Sequence, residues 1–226
     1  MLTLDQVKSK SAGWLGKLHP VLLAGASALI QQSYAKGIPI VITQGMRTIA
    51  EQNALYAQGR TKKGNIVTNA KGGSSYHNYG LAIDFALLLP DGKSISWDTS
   101  RDGNNDKTAD WQQVAQEAKK LGFEWGGDWT SFKDYSHLEM TFGLTTEQLQ
   151  AGKQPTVQQV KDALTRINGT GSEADPAISV TLNGVKITSG LLENGTTYAP
   201  VRAVAEALGA TVTYDAVNRM VKLVKE

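Results

Sequence analysis

The stretch Ser75–Leu89 reads SYHNYGLAIDFALLL. Its second part, Leu81–Leu89, is apolar throughout except for Asp84, has strand length and is bounded by Gly80 and Pro90. A short apolar run between turn residues predicts a buried strand. An ionised carboxylate inside such a strand is disfavoured by desolvation unless it meets a strong partner, and a cation meets that need. His77 sits on the loop just before the strand, and Gly80 lets the backbone turn between the two, so His77 and Asp84 can converge on one ion. Taken alone, the pair reads equally well as an ordinary His–Asp hydrogen bond.

Outward from this strand the pattern alternates between helix and strand. Upstream, His19-Pro20 opens a helix with Val21, Leu22, Ala28, Leu29 and Ile30 as core candidates, and Ile38–Thr43 (IPIVIT) predicts a buried strand. Gly45–Thr48 forms a turn, a helix carrying Glu51, Leu55 and Tyr56 ends at Gly59, and residues 60–79 are a long Gly-, Asn- and Ser-rich loop. A short helix is expected over 3–11. Downstream, Asp110 is expected to cap a helix closed by Leu121-Gly122, and Trp125–Thr130 (WGGDWT) is a loop. In Ser136–Phe142 (SHLEMTF), Leu138, Met140 and Phe142 share one face, and His137, Glu139 and Thr141 the other. A helix over Thr156–Ile167 precedes NGTGSEADP, which has linker composition. Beyond it, ISVTLNGVKI is a hairpin with an Asn-Gly turn, Tyr198–Leu208 an amphipathic helix stopped at Gly209, and ATVTYDAVNRMVKLVK a second hairpin. The fold class is α+β, divided into 1–150, a helix and linker at 151–175, and a small ββαββ-like module at 176–226.

The 226 residues are 41% hydrophobic and 19% charged, with a net charge of +2. Charge is nearly balanced in both halves, so nucleic-acid binding has no electrostatic support. There is no cysteine, which excludes disulfides and thiolate metal sites. Any zinc must be held by His and carboxylate, the ligand set of catalytic sites. The apolar segment Val21–Ile30 is too short to span a bilayer, and the N-terminus lacks the basic start and apolar run of a signal peptide. The expectation is a chain made in the cytoplasm without a leader, and a monomer.

Of three histidines, His19 reads as a cap or packing residue at its helix start. His137 faces away from the apolar side of its strand, as a ligand projecting into a cleft does. Asp134, three residues earlier, is placed to exchange a proton with a metal-bound water and a leaving amine. Asp128, Glu124 and Glu139 compete with it for that role or for supporting roles. Trp97, Trp111, Trp125 and Trp129 read either as core and loop anchors or as a sugar-stacking platform.

The pattern S-x-H-x-x-G-x-A-x-D, filled by Ser75, His77, Gly80, Ala82 and Asp84, followed by D-x-x-H at Asp134 and His137, resembles the LAS (M15) metallopeptidases over roughly residues 1–145. TQGMRTIAEQNALYAQGRT and WGGDWTSFKDYSH resemble the branch of L-alanyl-D-glutamate endopeptidases of phages and bacilli. The resemblance implies an LAS-type (Hedgehog/DD-peptidase-like) catalytic domain with antiparallel sheet and helices. It implies zinc on His77, Asp84 and His137, Asp134 as base, and Arg47 at the developing oxyanion. Gln52 and Ser75 would orient substrate or ligands, and the bond cut would join L-Ala to D-Glu in bacterial peptidoglycan. A D-Ala-D-Ala carboxypeptidase or dipeptidase on the same scaffold is the alternative, and a non-catalytic wall-binding protein with a structural metal is a third. Residues 178–226 resemble the stalk-like domain of the copper amine oxidase N-terminal family; they hold no His or Cys, so copper is not implied. Joined to a lysin-type peptidase, that module implies attachment to the cell wall, with holin-assisted release of the enzyme.

Overall fold

The computed structural model describes residues 2–169, 178–193, 196–199, 201–215 and 220–225. It divides into two compact units, Met1–Thr170 and Gly171–Glu226. The linker composition noted at 168–176 falls mostly outside the described residues, as does the turn at 216–219.

The first unit opens with α1 (Leu4–Leu15) and α2 (Pro20–Ala35), followed by β1 (Ile40–Gln44) and α3 (Ile49–Ala57). Then come β2 (Ala82–Leu88), β3 (Ile95–Ser96), α4 (Asp110–Leu121), β4 (Glu124–Trp125), β5 (His137–Glu139), α5 (Thr146–Gln150) and α6 (Val157–Gly169). The strands form one antiparallel sheet in the order β1-β2-β5-β4, with β3 also on β2.

Alternation along the central strand decides which side faces which environment. Ile83, Phe85 and Leu87 join the core with Ile40, Ile42 and Leu138 of neighbouring strands. Against them pack Val21, Leu22, Leu29 and Ile30 of α2 and Trp111, Val114, Ala118 and Leu121 of α4. Each of the valine, leucine, isoleucine and phenylalanine side chains, removed from water, contributes about 1.5–3 kcal/mol. Helix α6 packs against α2 and α4 and buries Ile167, so it belongs to the first unit. Asp84 lies on the face opposite Ile83 and Phe85.

Local chemistry sets most helix ends. Thr48 caps α3 in a capping box with Glu51, and Gly122 ends α4 at φ 99°. Ala109, not Asp110, caps α4; Asp110 is the first helical residue, and its carboxylate accepts from the Gly103 amide at 3.0 Å. His19 caps α2, its Nδ1 accepting from the Val21 amide, and burial lowers its pKa.

The second unit contains β6 (Ile178–Leu182), β7 (Val185–Glu193), β8 (Thr196–Tyr198), α7 (Val201–Ala207), β9 (Ala210–Asp215) and β10 (Met220–Lys225). Asn183 and Gly184 both take positive φ in the β6–β7 turn, as an Asn-Gly hairpin requires. The β7–β8 pairing adds a strand absent from the ββαββ expectation, and β9 pairs with β10 as the second hairpin. No helix among the described residues is long and apolar enough to cross a membrane.

Candidate metal centre

Strand register places the first two members of the site. Asp84 of β2 is the direct cross-strand neighbour of His137 on β5, so their side chains leave the same face of the sheet. His77 comes from a 3-10 turn, Tyr76–Tyr79, that precedes β2. That turn is fastened from a distance: the Tyr76 hydroxyl donates to the Leu144 carbonyl and the Tyr79 hydroxyl to the Gly73 carbonyl, both at 2.7 Å. Gly80 closes it at φ 66°. A side chain at Gly80 would press on the Lys17 carbonyl and His19 amide, so this position requires glycine for both conformation and space.

The three groups meet at their tips. His77 Nε2 lies 3.2 Å from His137 Nδ1, and each of these nitrogens lies 3.4 Å from Asp84 Oδ1. The outer ring nitrogens are already engaged. His77 Nδ1 is 2.8 Å from the Gly45 carbonyl, and His137 Nε2 is 2.8 Å from the Glu139 carboxylate. Both outer nitrogens therefore carry hydrogen, and the inner ones of the neutral rings present lone pairs. Asp84 Oδ1 is buried with no hydrogen-bond partner. Three electron-rich atoms thus face one another and need positive charge between them. A tetrahedral zinc ion with bonds of about 2.0–2.1 Å sets its ligand atoms roughly 3.3 Å apart. The donor set and spacing fit that ion.

The protonation of the pair reports the same field. Burial works against ionised Asp84, yet the His137 and His77 rings, each 3.4 Å from its Oδ1, hold its carboxyl well below the usual carboxylate range. Burial works against protonated His137 as well, but the Asp84 and Glu139 carboxylates push its pKa up to about 9. A proton occupies the role that a cation would take.

The triangle lines a cleft of about 750 Å³, which Arg47, Ser75, Asp134 and Glu139 also line. Arg47 donates to Asp84 Oδ2 at 2.9 Å and to Gln52 Oε1 at 3.0 Å. Gln52 is fully buried, and its amide donates to the Ala70 carbonyl at 2.9 Å. It is therefore in touch with Arg47 and the loop behind it, not with the open cleft. Ser75 begins the 3-10 turn and makes no side-chain cap, so its hydroxyl is left to the cleft. Asp134 is half-buried, with Oδ1 accepting from the Ser136 amide and hydroxyl at 3.2 and 2.8 Å. Gly126 lets Asp134 and His137 approach: a Cβ there would collide with the Asp134 carbonyl.

The other acids separate clearly. Asp128 is exposed and paired with Lys119 at 2.6 Å. Exposed Glu124 accepts from the Thr141 hydroxyl at 2.6 Å. Glu139, a competitor for the base in the sequence, is 7% exposed and bonded to the outer nitrogen of His137. The i, i+2 spacing of His137 and Glu139 on one strand face was the signal for that contact. The Gly45 carbonyl behind His77 left no signal, because every residue has one.

The chain is similar to known proteins in both units. A family profile described as D-alanyl-D-alanine carboxypeptidase, of the M15 peptidases, matches residues 68–140. A second, described as copper amine oxidase N-terminal domain, matches residues 181–226. The chain is 62% identical over 123 residues to the peptidoglycan L-alanyl-D-glutamate endopeptidase CwlK of Bacillus subtilis, covering 54% of this chain and 73% of that protein. It is 30% identical over 164 residues to the L-alanyl-D-glutamate peptidase of Listeria phage A118, covering 72% of this chain and only 52% of the phage protein. Among solved structures, the L-Ala D-Glu endopeptidase ChiX of Serratia marcescens aligns with 59% of this chain and 88% of that one, at 21% identity and a TM-score of 0.44. With the likeness to CwlK extending over nearly three quarters of that enzyme, this chain is a peptidase and belongs to the M15 family.

Proposed function

We propose that the enzyme hydrolyses the bond between L-Ala and D-Glu in the stem peptide of peptidoglycan, with zinc held by His77, Asp84 and His137. The observation that carries this is the triangle of lone-pair atoms, 3.2–3.4 Å on a side, with Asp84 Oδ1 otherwise unpartnered. The bond specificity rests on the likeness to CwlK. When bound, zinc supplies a Lewis acid and makes a water at the site more acidic.

The chain's own residues do the rest. Asp134 accepts a proton from the water that attacks the L-Ala carbonyl carbon, then returns it to the D-Glu nitrogen as the C–N bond breaks. Ser136 holds its Oδ1, and Asp134 lines the cleft that contains the three ligands. Arg47 presents positive charge where the carbonyl oxygen becomes negative. Gln52 fixes the Arg47 guanidinium, Glu139 fixes the His137 ring, and Ser75 offers a hydroxyl to the peptide backbone. Replacing Asp134 with Ala should reduce hydrolysis of muropeptides at least about 100-fold while the protein keeps its zinc. Undiminished hydrolysis in that variant overturns the role of Asp134. Free D-Ala among the products would transfer the enzyme to the carboxypeptidase alternative.

In this proposal, residues 1–150 with the helix that follows form the catalytic part, and the module beyond residue 176 attaches a monomeric enzyme to the wall. The enzyme is made in the cytoplasm and reaches the wall with holin help. Sedimentation with purified sacculi tests the attachment: truncation after residue 170 should release the protein into the supernatant.

A further inference from the structure

The cleft has two chemically different flanks. In the sheet order β1-β2-β5-β4, Asp84 on β2 lies between β1 and β5. On the β1 side, the stretch 60–71 brings Thr68, Asn69 and Ala70 to the cleft. It is tied there by Gln52, which links the Ala70 carbonyl to Arg47, and by Arg60, which donates to the Thr68 carbonyl and Asn69 Oδ1 at 2.9 and 2.8 Å. Between Glu51 and Asp84 the chain has Arg60, Lys62, Lys63 and Lys71 and no acidic residue at all. Lys62, Lys63 and Lys71 are exposed and have no carboxylate partner among the described residues.

On the β5 side the flank is the loop before that strand, and it is aromatic. Trp129, 37% exposed, holds its ring centroid 5.1 Å from that of His137, and Phe132 is 50% exposed. Both line the cleft. Trp111 and Trp125, by contrast, are core residues at 2% and 5%. Of the tryptophans that could have formed a platform, Trp129 is the one that reaches the site.

The substrate has a matching polarity; this step rests on the L-Ala–D-Glu reading. A glutamate joined through its nitrogen keeps one free carboxylate, whichever carboxyl carries the stem onward. On the other side of the bond, L-Ala connects the stem to the sugar. A carboxylate suits this flank, because the chain on either side of the cleft-lining residues Thr68–Ala70 carries only cations, whose side chains stand outside the cleft lining itself. The C–H face of a pyranose suits the electron-rich faces of exposed aromatic rings. We infer that the stem crosses the site with D-Glu on the Lys62–Lys71 flank and the sugar on the Trp129–Phe132 flank, so that Phe132 selects glycan-bearing stems over free peptides.

The test measures kcat/KM of the full-length, zinc-loaded enzyme on two substrates. One is the stem peptide carrying the N-acetylmuramyl group on L-Ala, and the other the same peptide with an acetylated L-Ala nitrogen. Phe132→Ala should lower the ratio of the two values about tenfold, as loss of an aromatic stacking partner predicts. Lys62→Gln, Lys63→Gln and Lys71→Gln combined should lower both values by the same factor, and amidating the D-Glu carboxylate should erase that loss. Equal losses on both substrates for Phe132→Ala, or a lysine effect that survives amidation, would overturn the assignment. Phe132 and the three lysines are exposed, and unchanged melting temperatures confirm that the variants fold. If the unaltered enzyme cleaves neither substrate, the L-Ala–D-Glu reading itself fails, which is a separate outcome.

Discussion

His77 and His137 reach the same small space on two kinds of support. His77 stands on a four-residue turn, and its outer nitrogen is fixed by a backbone carbonyl, that of Gly45. His137 stands on a strand, and its outer nitrogen is fixed by a side chain, the Glu139 carboxylate. A carbonyl orients a ring; a carboxylate orients it and also makes the inner nitrogen a stronger donor to a cation. The two ligands should therefore fail differently. Damage behind His77 should appear first in folding stability, and damage behind His137 first in metal affinity.

Asp84 is common to both sides, and its loss should have the largest effect. Asn in its place retains the shape but cannot neutralise the ion or pair with Arg47. Asp84→Asn should bring zinc content after dialysis close to zero and activity to background. Full zinc retention would mean that the two histidines suffice, and the three-point site would be wrong.

The next two changes set the histidines against each other. Glu139→Gln should weaken zinc binding about 10–100-fold, read by competition with a chromophoric chelator. Gly45→Ala puts a methyl group into the Trp14 carbonyl, so the segment behind His77 has to move. It should lower unfolding free energy by about 2 kcal/mol in urea, with a smaller change in zinc affinity. Identical profiles for the two variants would remove the distinction drawn between the supports.

The same contrast explains how much was legible in the sequence. An apolar strand interrupted by one aspartate, with a histidine seven residues before it, announces a buried charge and a partner for it. The period-2 pattern at His137-Leu138-Glu139 announces a face. Both signals are local. The turn that carries His77 is not, because it is held by Tyr76 reaching Leu144. Helix α1 runs past Ser11 to Leu15, and the buried Ser11 hydroxyl accepts from the amide of Ile42, a contact no window around Ser11 contains. Strand β5 stops at Glu139, short of Phe142, which takes φ 53°. The two-residue strands β3 and β4 consist of little beyond their pairing with β2 and β5. Composition has no means of registering such pairings.

The smallest effect belongs to the acids that looked equivalent to Asp134 in the sequence. Asp128 is six residues away on the same loop, but its side chain is 55% exposed and its partner Lys119 is 44% exposed. Surface pairs of this kind contribute about 0–1 kcal/mol, because water screens both charges and the side chains lose freedom in meeting. Asp128→Asn should leave zinc content and hydrolysis unchanged and alter stability by less than about 0.5 kcal/mol. Asp134, with one carboxylate oxygen held by Ser136 and the residue wedged beside His137 at Gly126, has no such freedom. If instead Asp128→Asn abolished hydrolysis and Asp134→Ala did not, proton transfer would belong to the outer end of the loop. The arrangement of Asp134 beside the histidine strand would then be a matter of folding alone.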